Sequence, residues 1–169
     1  MNDDDLFEQT GDTFLCMIHP IMRDALHRQE LSRLVAIEPL VTPSAVVALI
    51  LGASWRERLL GLGLAMIKGG AAYVAPMIQS LRDPRGIAIV PACAALAVLG
   101  RSGIAIYPAL LHQEFDHVVF DGEIAWAMEQ MRRHIAAVFP VCSDPGRNSG
   151  QHFDDHIEVF RWLAGELNG

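Results

Sequence analysis

Cysteines are few in this sequence, and none stands at a paired spacing. Cys16, Cys93 and Cys142 are far apart in the 169-residue chain, which excludes a disulfide framework and a thiolate zinc site. We therefore expect the protein to lie in a reducing cytoplasm. The acidic start, residues 1–5, lacks the basic and apolar regions of a secretory signal, so export by that route is not expected.

Long apolar runs and basic residues are also scarce. The uncharged stretch over residues 86–100 contains Pro91 and is shorter than the roughly 20 residues that span a bilayer. We therefore expect no membrane association. Thirteen Lys and Arg against twenty Asp and Glu give a net charge of −7, which argues against a general nucleic-acid binder. Because 51% of the residues are apolar and only 20% are charged, disorder is excluded.

Strand signals and catalytic motifs are missing as well. No segment alternates apolar and polar residues between turn signals, as half-buried strands would. The pair Gly61 and Gly63 lacks the third glycine of a dinucleotide fingerprint and is expected to allow close helix packing instead. Cys93, in an apolar helical context, is expected to be an inert core thiol. We therefore predict an all-α protein that is not an enzyme and holds no cofactor.

Helical periodicity runs along nearly the whole chain. Apolar residues spaced by three and four predict helices over 121–139 and 154–167. Asp121 and Glu123 suit the N-terminus of the former, and Asp154 or Asp155 is expected to cap the latter. The other predicted elements are helices over 13–31, 43–52, 54–68, 72–82, 86–100 and 103–115, and a loop over 143–150.

An internal repeat is the strongest signal in the sequence. A shift of 32 residues places Pro76 on Pro108, Pro108 on Pro140, and residues 64–67 on 96–99. Such a period is typical of stacked helical hairpins, because one hairpin cannot bury its apolar face alone. We predict a short right-handed solenoid of antiparallel helical hairpins. Its single domain, 1–169, would comprise an N-terminal helical cap over 1–42, repeats over 43–140 and a C-terminal helix over 151–169.

The repeats resemble those of the HEAT family. Residues 76–83, Pro-Met-Ile-Gln-Ser-Leu-Arg-Asp, and the Ala-rich stretch that ends in Leu99-Gly100 are similar to the two helices of such a repeat. Trp55-Arg56 resembles the Val-Arg pair that opens its second helix. No acid precedes Trp55, however, and no Arg follows Asp83 at the matching place. The usual Asp-to-Arg ladder between repeats is therefore not expected to be intact.

Charge is distributed unevenly along the chain. Residues 1–30 carry seven acids and two bases, residues 54–101 carry six bases and two acids, and residues 112–169 carry ten acids and four bases. The chain is thus acidic at both ends and mildly basic in the middle. The acidic ends are the candidate surfaces for a basic partner.

Candidate partner-binding residues lie near the C-terminal end. Trp126 stands off the apolar stripe beside acidic residues, which would let it anchor a basic protein; the alternative is that it packs on the next helical layer. The predicted partner-binding residues are Asp116, Asp121, Glu123, Trp126, Glu129, Asp154 and Asp155. His152, Asp154, Asp155 and His156 have a spacing that could hold a metal, although a polar helix start is favoured.

These features suggest a binding protein. Small acidic proteins built from HEAT-like helices resemble bacterial immunity proteins, and the resemblance implies binding and neutralising a basic cognate toxin by occluding its active site. The alternative is a HEAT-like nucleic-acid-binding protein, resembling DNA glycosylases, with the central arginines on phosphates. A scaffold or lyase-like subunit is a third class, favoured by no particular residue. The partner's identity and the oligomeric state are left open.

Overall fold

Helices make up all the regular structure in the described part of the chain. The computed structural model describes residues 8–106, 110, 119–136 and 150–166, without the side chains of 150–152. The α-helices are α1 (Thr13–Ile18), α2 (Ala25–Ile37), α3 (Pro43–Ile50), α4 (Trp55–Ile67), α5 (Val74–Ser80), α6 (Ile89–Arg101), α7 (Asp121–Ile135) and α8 (Gly150–Leu163), with 3-10 turns at Glu38–Leu40, Ala71–Tyr73 and Gly86–Ala88. The all-α prediction is confirmed.

The N-terminal segment forms two helices where one was predicted over 13–31. α1 ends at Ile18, and α2 begins at Ala25, where the Asp24 carboxylate accepts a hydrogen bond from the Leu26 N–H at 2.8 Å. Pro20 explains the break, because it has no N–H and disfavours the helical conformation of the residue before it. The prediction of a single helix is therefore wrong.

The last helix also begins earlier than predicted. α8 starts at Gly150, so Asp154 and Asp155 lie inside the helix instead of capping it. The predicted helix over 103–115 and the loop over 143–149 lie largely outside the described residues. Residues 103–106, which belong to that predicted helix, are not helical.

Two central helices form the core. Residues 59–66 of α4 and 89–99 of α6 are buried without a break, so both helices are covered on all sides. α6 packs most extensively against α7 and α8, and it also contacts α4 and α5. α4 contacts α1, α2, α3 and α8. The C-terminal helix therefore returns to pack on both central helices.

The helices recur at the spacing of the sequence repeat. α6 begins at Ile89 and α7 begins 32 residues later at Asp121. Leu64, Leu96 and Met128, which the 32-residue shift superimposes, are all buried. This recurrence agrees with a hairpin repeat, and the right-handed solenoid stays a prediction.

Glycines allow close helix contacts, as predicted for Gly61 and Gly63. A Cβ atom on Gly61 would lie 2.5 Å from the backbone nitrogen of Ile50, and one on Gly63 would lie 2.8 Å from a Leu34 methyl carbon. Both distances are far shorter than a van der Waals contact. α4 can therefore approach α3 and α2 this closely only without these side chains.

A buried arginine links α4 to the segment after α5. Arg58 is 4% exposed, and its guanidinium donates to the carbonyl oxygens of Gly52, Ser80 and Asp83. It also lies 3.5 Å from the Asp83 carboxylate. An Asp–Arg pair therefore links α4 to the segment after α5, although the arginine lies three residues into α4 and not after Asp83. The sequence pattern did not single out Arg58.

Candidate functional site

α7 has two buried faces. The predicted stripe is buried at Ile124, Ala127, Met128 and Met131, and half-buried at Ile135. A second face carries Trp126, Gln130 and His134, which are spaced by four and therefore lie on one side of the helix. The Phe153 ring of α8 stands edge-on to Trp126, with centroids 6.3 Å apart, and lies 6.4 Å from His134. α8 thus covers this second face.

α8 contacts α7 at more than one point. Phe153, near the start of α8, lies between Trp126 and His134. His134 also lines a cavity with Arg161, which lies near the end of α8.

The N-terminal halves of α7 and α8 both carry acidic residues. We call this set the acidic pole; its members are Asp121, Glu123, Asp154, Asp155 and Glu158. Asp121, Asp154 and Glu158 are exposed and form no ion pair within the described ranges. Partial burial and the neighbouring Asp155 carboxylate raise the pKa of Asp154. Negative charge is therefore concentrated here without an internal counter-charge at these three residues.

The predicted partner-binding residues fall into three groups. Asp121, Glu123, Asp154 and Asp155 belong to the acidic pole. Glu129 lies farther along α7, where its carboxylate pairs with Arg133 at 2.9 Å and with Arg132 at 3.9 Å. Asp116 lies outside the described residues. Trp126 is half-buried against Phe153, which is the packing on a further helix that stood as the alternative to an exposed anchor.

Unsatisfied polar groups lie between α7 and α8. The Trp126 Nε1–H and both polar atoms of the Gln130 amide are buried without a hydrogen-bond partner, and Gln130 is 0% exposed. A buried polar group without a partner costs about 1–3 kcal/mol. Gln130 was not predicted as part of this face. Its position four residues after Trp126 and four before His134 places all three on one side of the helix, and this could have been read from the sequence.

The C-terminal ends of α6, α7 and α8 enclose a polar cavity of about 410 Å³. We call it the basic cavity; Val98, Arg101, Ser102, His134, Arg161 and Glu166 line it. Glu166 accepts hydrogen bonds from Arg161 Nε at 3.1 Å and from Ser102 Oγ at 2.9 Å. Burial, followed by the charges of Arg101 and Arg161, lowers the pKa of His134 to about 4. Sequence reasoning missed this cavity because its residues come from three helices.

Other predicted features can be placed in the structure. Cys93 is 0% exposed, and burial raises the pKa of its thiol to about 12, which confirms an inert core thiol. Within the described ranges, no three His, Cys, Asp or Glu side chains gather as a metal site. The predicted metal-ligand residues at 152–156 can be checked only in part, because the structure does not describe the His152 side chain. No helix in the described ranges is long and apolar enough to cross a bilayer.

Comparison of the chain with known protein families, curated proteins and solved structures finds no match. Function is therefore argued from the geometry and charge of these two regions.

Proposed function

We propose that the chain is a protein-binding helical-repeat protein whose acidic pole engages a basic partner. Its role would be that of an immunity protein, which neutralises a cognate toxin by occluding the toxin's active site. The observation that carries the proposal is the contact between Trp126 of α7 and Phe153 of α8. This contact joins two separate chain segments whose N-terminal halves carry the exposed acids Asp121 and Asp154.

The electrostatics of the acidic pole favour a basic partner. Asp121 and Asp154 are exposed and form no ion pair within the described ranges, so a Lys or Arg from a partner could pair with them. Complementary charge also steers encounter and raises the association rate. Binding of this kind needs no catalytic residue and no cofactor from the chain itself.

The proposal also includes a fold and a location. The fold is a HEAT-like solenoid, and the location is the cytoplasm. Burial at Leu64, Leu96 and Met128 supports the repeat, and the link from Arg58 to Asp83 supports contact between consecutive hairpins. The described cysteines, Cys16 and Cys93, are free and buried, which agrees with a reducing compartment.

Nucleic-acid binding is the alternative function, and the central cations give it little support. Arg58 is buried, Lys68 pairs with Glu38, and Arg85 pairs with Asp83 at 2.6 Å. Neutralising phosphates requires cations that are free to reach the backbone. Three of the six central cations are therefore engaged inside the fold.

A charge-reversal experiment tests the acidic pole. The full chain would be used to isolate its partner from the native host, and the affinity for the purified partner would then be measured. We expect a one-to-one complex with a basic protein, and the double variant Asp121→Lys, Asp154→Lys should weaken it by about 1 to 2 kcal/mol. Both side chains are exposed, so folding should be unaffected.

The matched control reverses two exposed acids at the other end of the chain, Glu8→Lys and Asp12→Lys. It changes the net charge equally and should leave affinity within about twofold once salt screens long-range effects. A loss of affinity in the control alone would place the interface on the N-terminal segment. Salt-sensitive retention of the wild-type chain on DNA, with no protein partner, would contradict the proposal in favour of the alternative.

A further inference from the structure

The basic cavity carries more positive than negative charge. Two guanidinium groups, from Arg101 and Arg161, face one carboxylate, that of Glu166, and His134 is buried in the wall. Arg101 makes no hydrogen bond or ion pair within the described ranges. Glu166 engages Arg161 through Nε, so other N–H groups of that guanidinium remain available.

Helix capping does not account for these arginines. Basic residues often stand at helix C-termini because the last carbonyl groups carry partial negative charge. Here the Leu99 carbonyl of α6 accepts from the Ile104 N–H at 3.1 Å, and the Arg161 carbonyl of α8 accepts from the Glu166 N–H at 2.9 Å. The backbone therefore satisfies these carbonyl groups itself, and the guanidinium groups are left to face the cavity.

We propose that the basic cavity is a binding site for a small oxyanion, a carboxylate or a phosphate. Arg101 is the main ion-pair donor, Arg161 is the second, and the imidazole of His134 supplies a hydrogen bond. A guanidinium group matches the geometry of carboxylate and phosphate oxygens. The volume of about 410 Å³ lies in the range of small-molecule sites, so it admits more than an inorganic ion.

Titration of the full chain with three probes tests this site. The probes are inorganic phosphate, glycerol 3-phosphate and succinate, and binding is followed by calorimetry and by the NMR signals of the His134 ring. We expect saturable binding of at least one probe. Comparison of the two phosphate probes with succinate shows whether a phosphate or a carboxylate is preferred. A bound anion should also raise the pKa of His134, because it favours the imidazolium form.

Two arginine variants distinguish specific binding in the cavity from general electrostatic attraction of anions. Arg101→Gln should weaken binding at least about tenfold. Arg82→Gln removes the same charge from an exposed position outside the cavity and should leave binding unchanged. Thermal unfolding of both variants checks that they fold. Absence of saturation with all three probes, or equal weakening in the two variants, would overturn the proposal.

Discussion

Arg58 is a buried cation that holds together two segments of the fold. It donates to the carbonyl oxygens of Gly52, Ser80 and Asp83, all within 2.8 Å. Replacement by Met removes these hydrogen bonds and leaves buried acceptors unsatisfied, at a cost of about 1–3 kcal/mol for each group that water cannot reach. We expect Arg58→Met to lower the free energy of unfolding by about 3 kcal/mol, measured by urea denaturation.

Asp83→Asn is the matched control for Arg58. The Asp83 side chain is 62% exposed and lies 3.5 Å from the guanidinium, so its charge adds little beyond the backbone carbonyl that Arg58 also binds. We expect a loss below about 1 kcal/mol. If the two variants lost equal stability, the ion pair and not the carbonyl hydrogen bonds would be the main contribution.

His134 makes stability depend on pH. Its pKa in the folded protein is about 4 and lies below the ordinary value of 6.5, so the unfolded chain takes up a proton between these values while the folded protein does not. The free energy of unfolding should therefore fall as pH falls through this window, by about 2 to 3 kcal/mol between pH 7 and 4.5. Arg101, Arg161 and Glu166 are the charged groups that face the ring across the cavity.

Urea denaturation at the two pH values measures the effect of His134. The variant His134→Gln keeps a polar side chain that does not titrate, so the difference between wild type and variant isolates this histidine from the carboxylates. We expect the variant to lose about 2 to 3 kcal/mol less on acidification. An identical pH dependence in both proteins would show that the ring is protonated in the folded state at pH 4.5.

Close packing of α3 and α4 depends on a glycine in the helix interior. Alanine is the better helix former by about 1 kcal/mol, but a Cβ atom on Gly61 would lie 2.5 Å from the Ile50 nitrogen, which belongs to rigid backbone. We expect Gly61→Ala to destabilise the protein by at least about 2 kcal/mol, because overpacking costs more than helix propensity returns. Thermal and urea unfolding measure the change.

Gly122 in α7 provides the opposite case. No atom lies within 4 Å of a Cβ placed there, so Gly122→Ala should stabilise the protein by about 0.5–1 kcal/mol through helix propensity and reduced freedom of the unfolded chain. If Gly61→Ala were also stabilising, α3 and α4 would not be packed this closely.

Local periodicity predicted the helices better than it predicted their contacts. The stripe from Ile124 to Met131 was readable because one apolar face repeats at 3.6 residues. The second buried face of α7, with Gln130 and His134, could not be read as buried, since both residues are polar and α8 covers them from a distant part of the chain. Burial of polar residues depends on tertiary contacts that local pattern does not contain.

For the candidate sites as well, local sequence features were predictable and tertiary contacts were not. The acids of the acidic pole were chosen from charge alone, and the structure adds that the two helices that carry them, α7 and α8, are in contact. The basic cavity was not predicted, because Arg101, His134 and Arg161 are far apart in sequence and each resembles an ordinary basic residue near a helix end. The break at Pro20 was predictable in principle, but helical periodicity on both sides of it was given more weight.

At the scale of the molecule, α8 packs the acidic C-terminal part of the chain against the central helices. The C-terminal acids were assigned to an end of the chain, but α8 packs on α4 and α6, which contain Arg56, Arg58 and Arg101, three of the six central basic residues. One helix pair thus presents both proposed binding surfaces.

Packing of α8 on both central helices predicts cooperative unfolding of the whole described chain. In an open repeat array each hairpin contacts only its neighbours, and distant repeats can unfold separately. α8 contacts α4 as well as α6 and α7, so its loss should affect the two halves together. Phe160 of α8 is 0% exposed, and Phe160→Ala should lower the free energy of unfolding by about 3–5 kcal/mol.

Tryptophan fluorescence can separate the two halves in this test. Trp55 in α4 packs edge-on to Phe14 at 5.4 Å, whereas Trp162 lies in α8. In variants that retain a single tryptophan, either Trp55 or Trp162, we expect coincident urea midpoints, and Phe160→Ala should shift both equally because α8 is part of the same cooperative unit. The control Glu158→Ala changes an exposed residue of α8. With either tryptophan as the probe, it should change the free energy of unfolding by no more than about 0.5 kcal/mol. A shift at Trp162 alone would instead show that α8 unfolds independently of the N-terminal helices, in which case the acidic pole could be dismantled without unfolding the core.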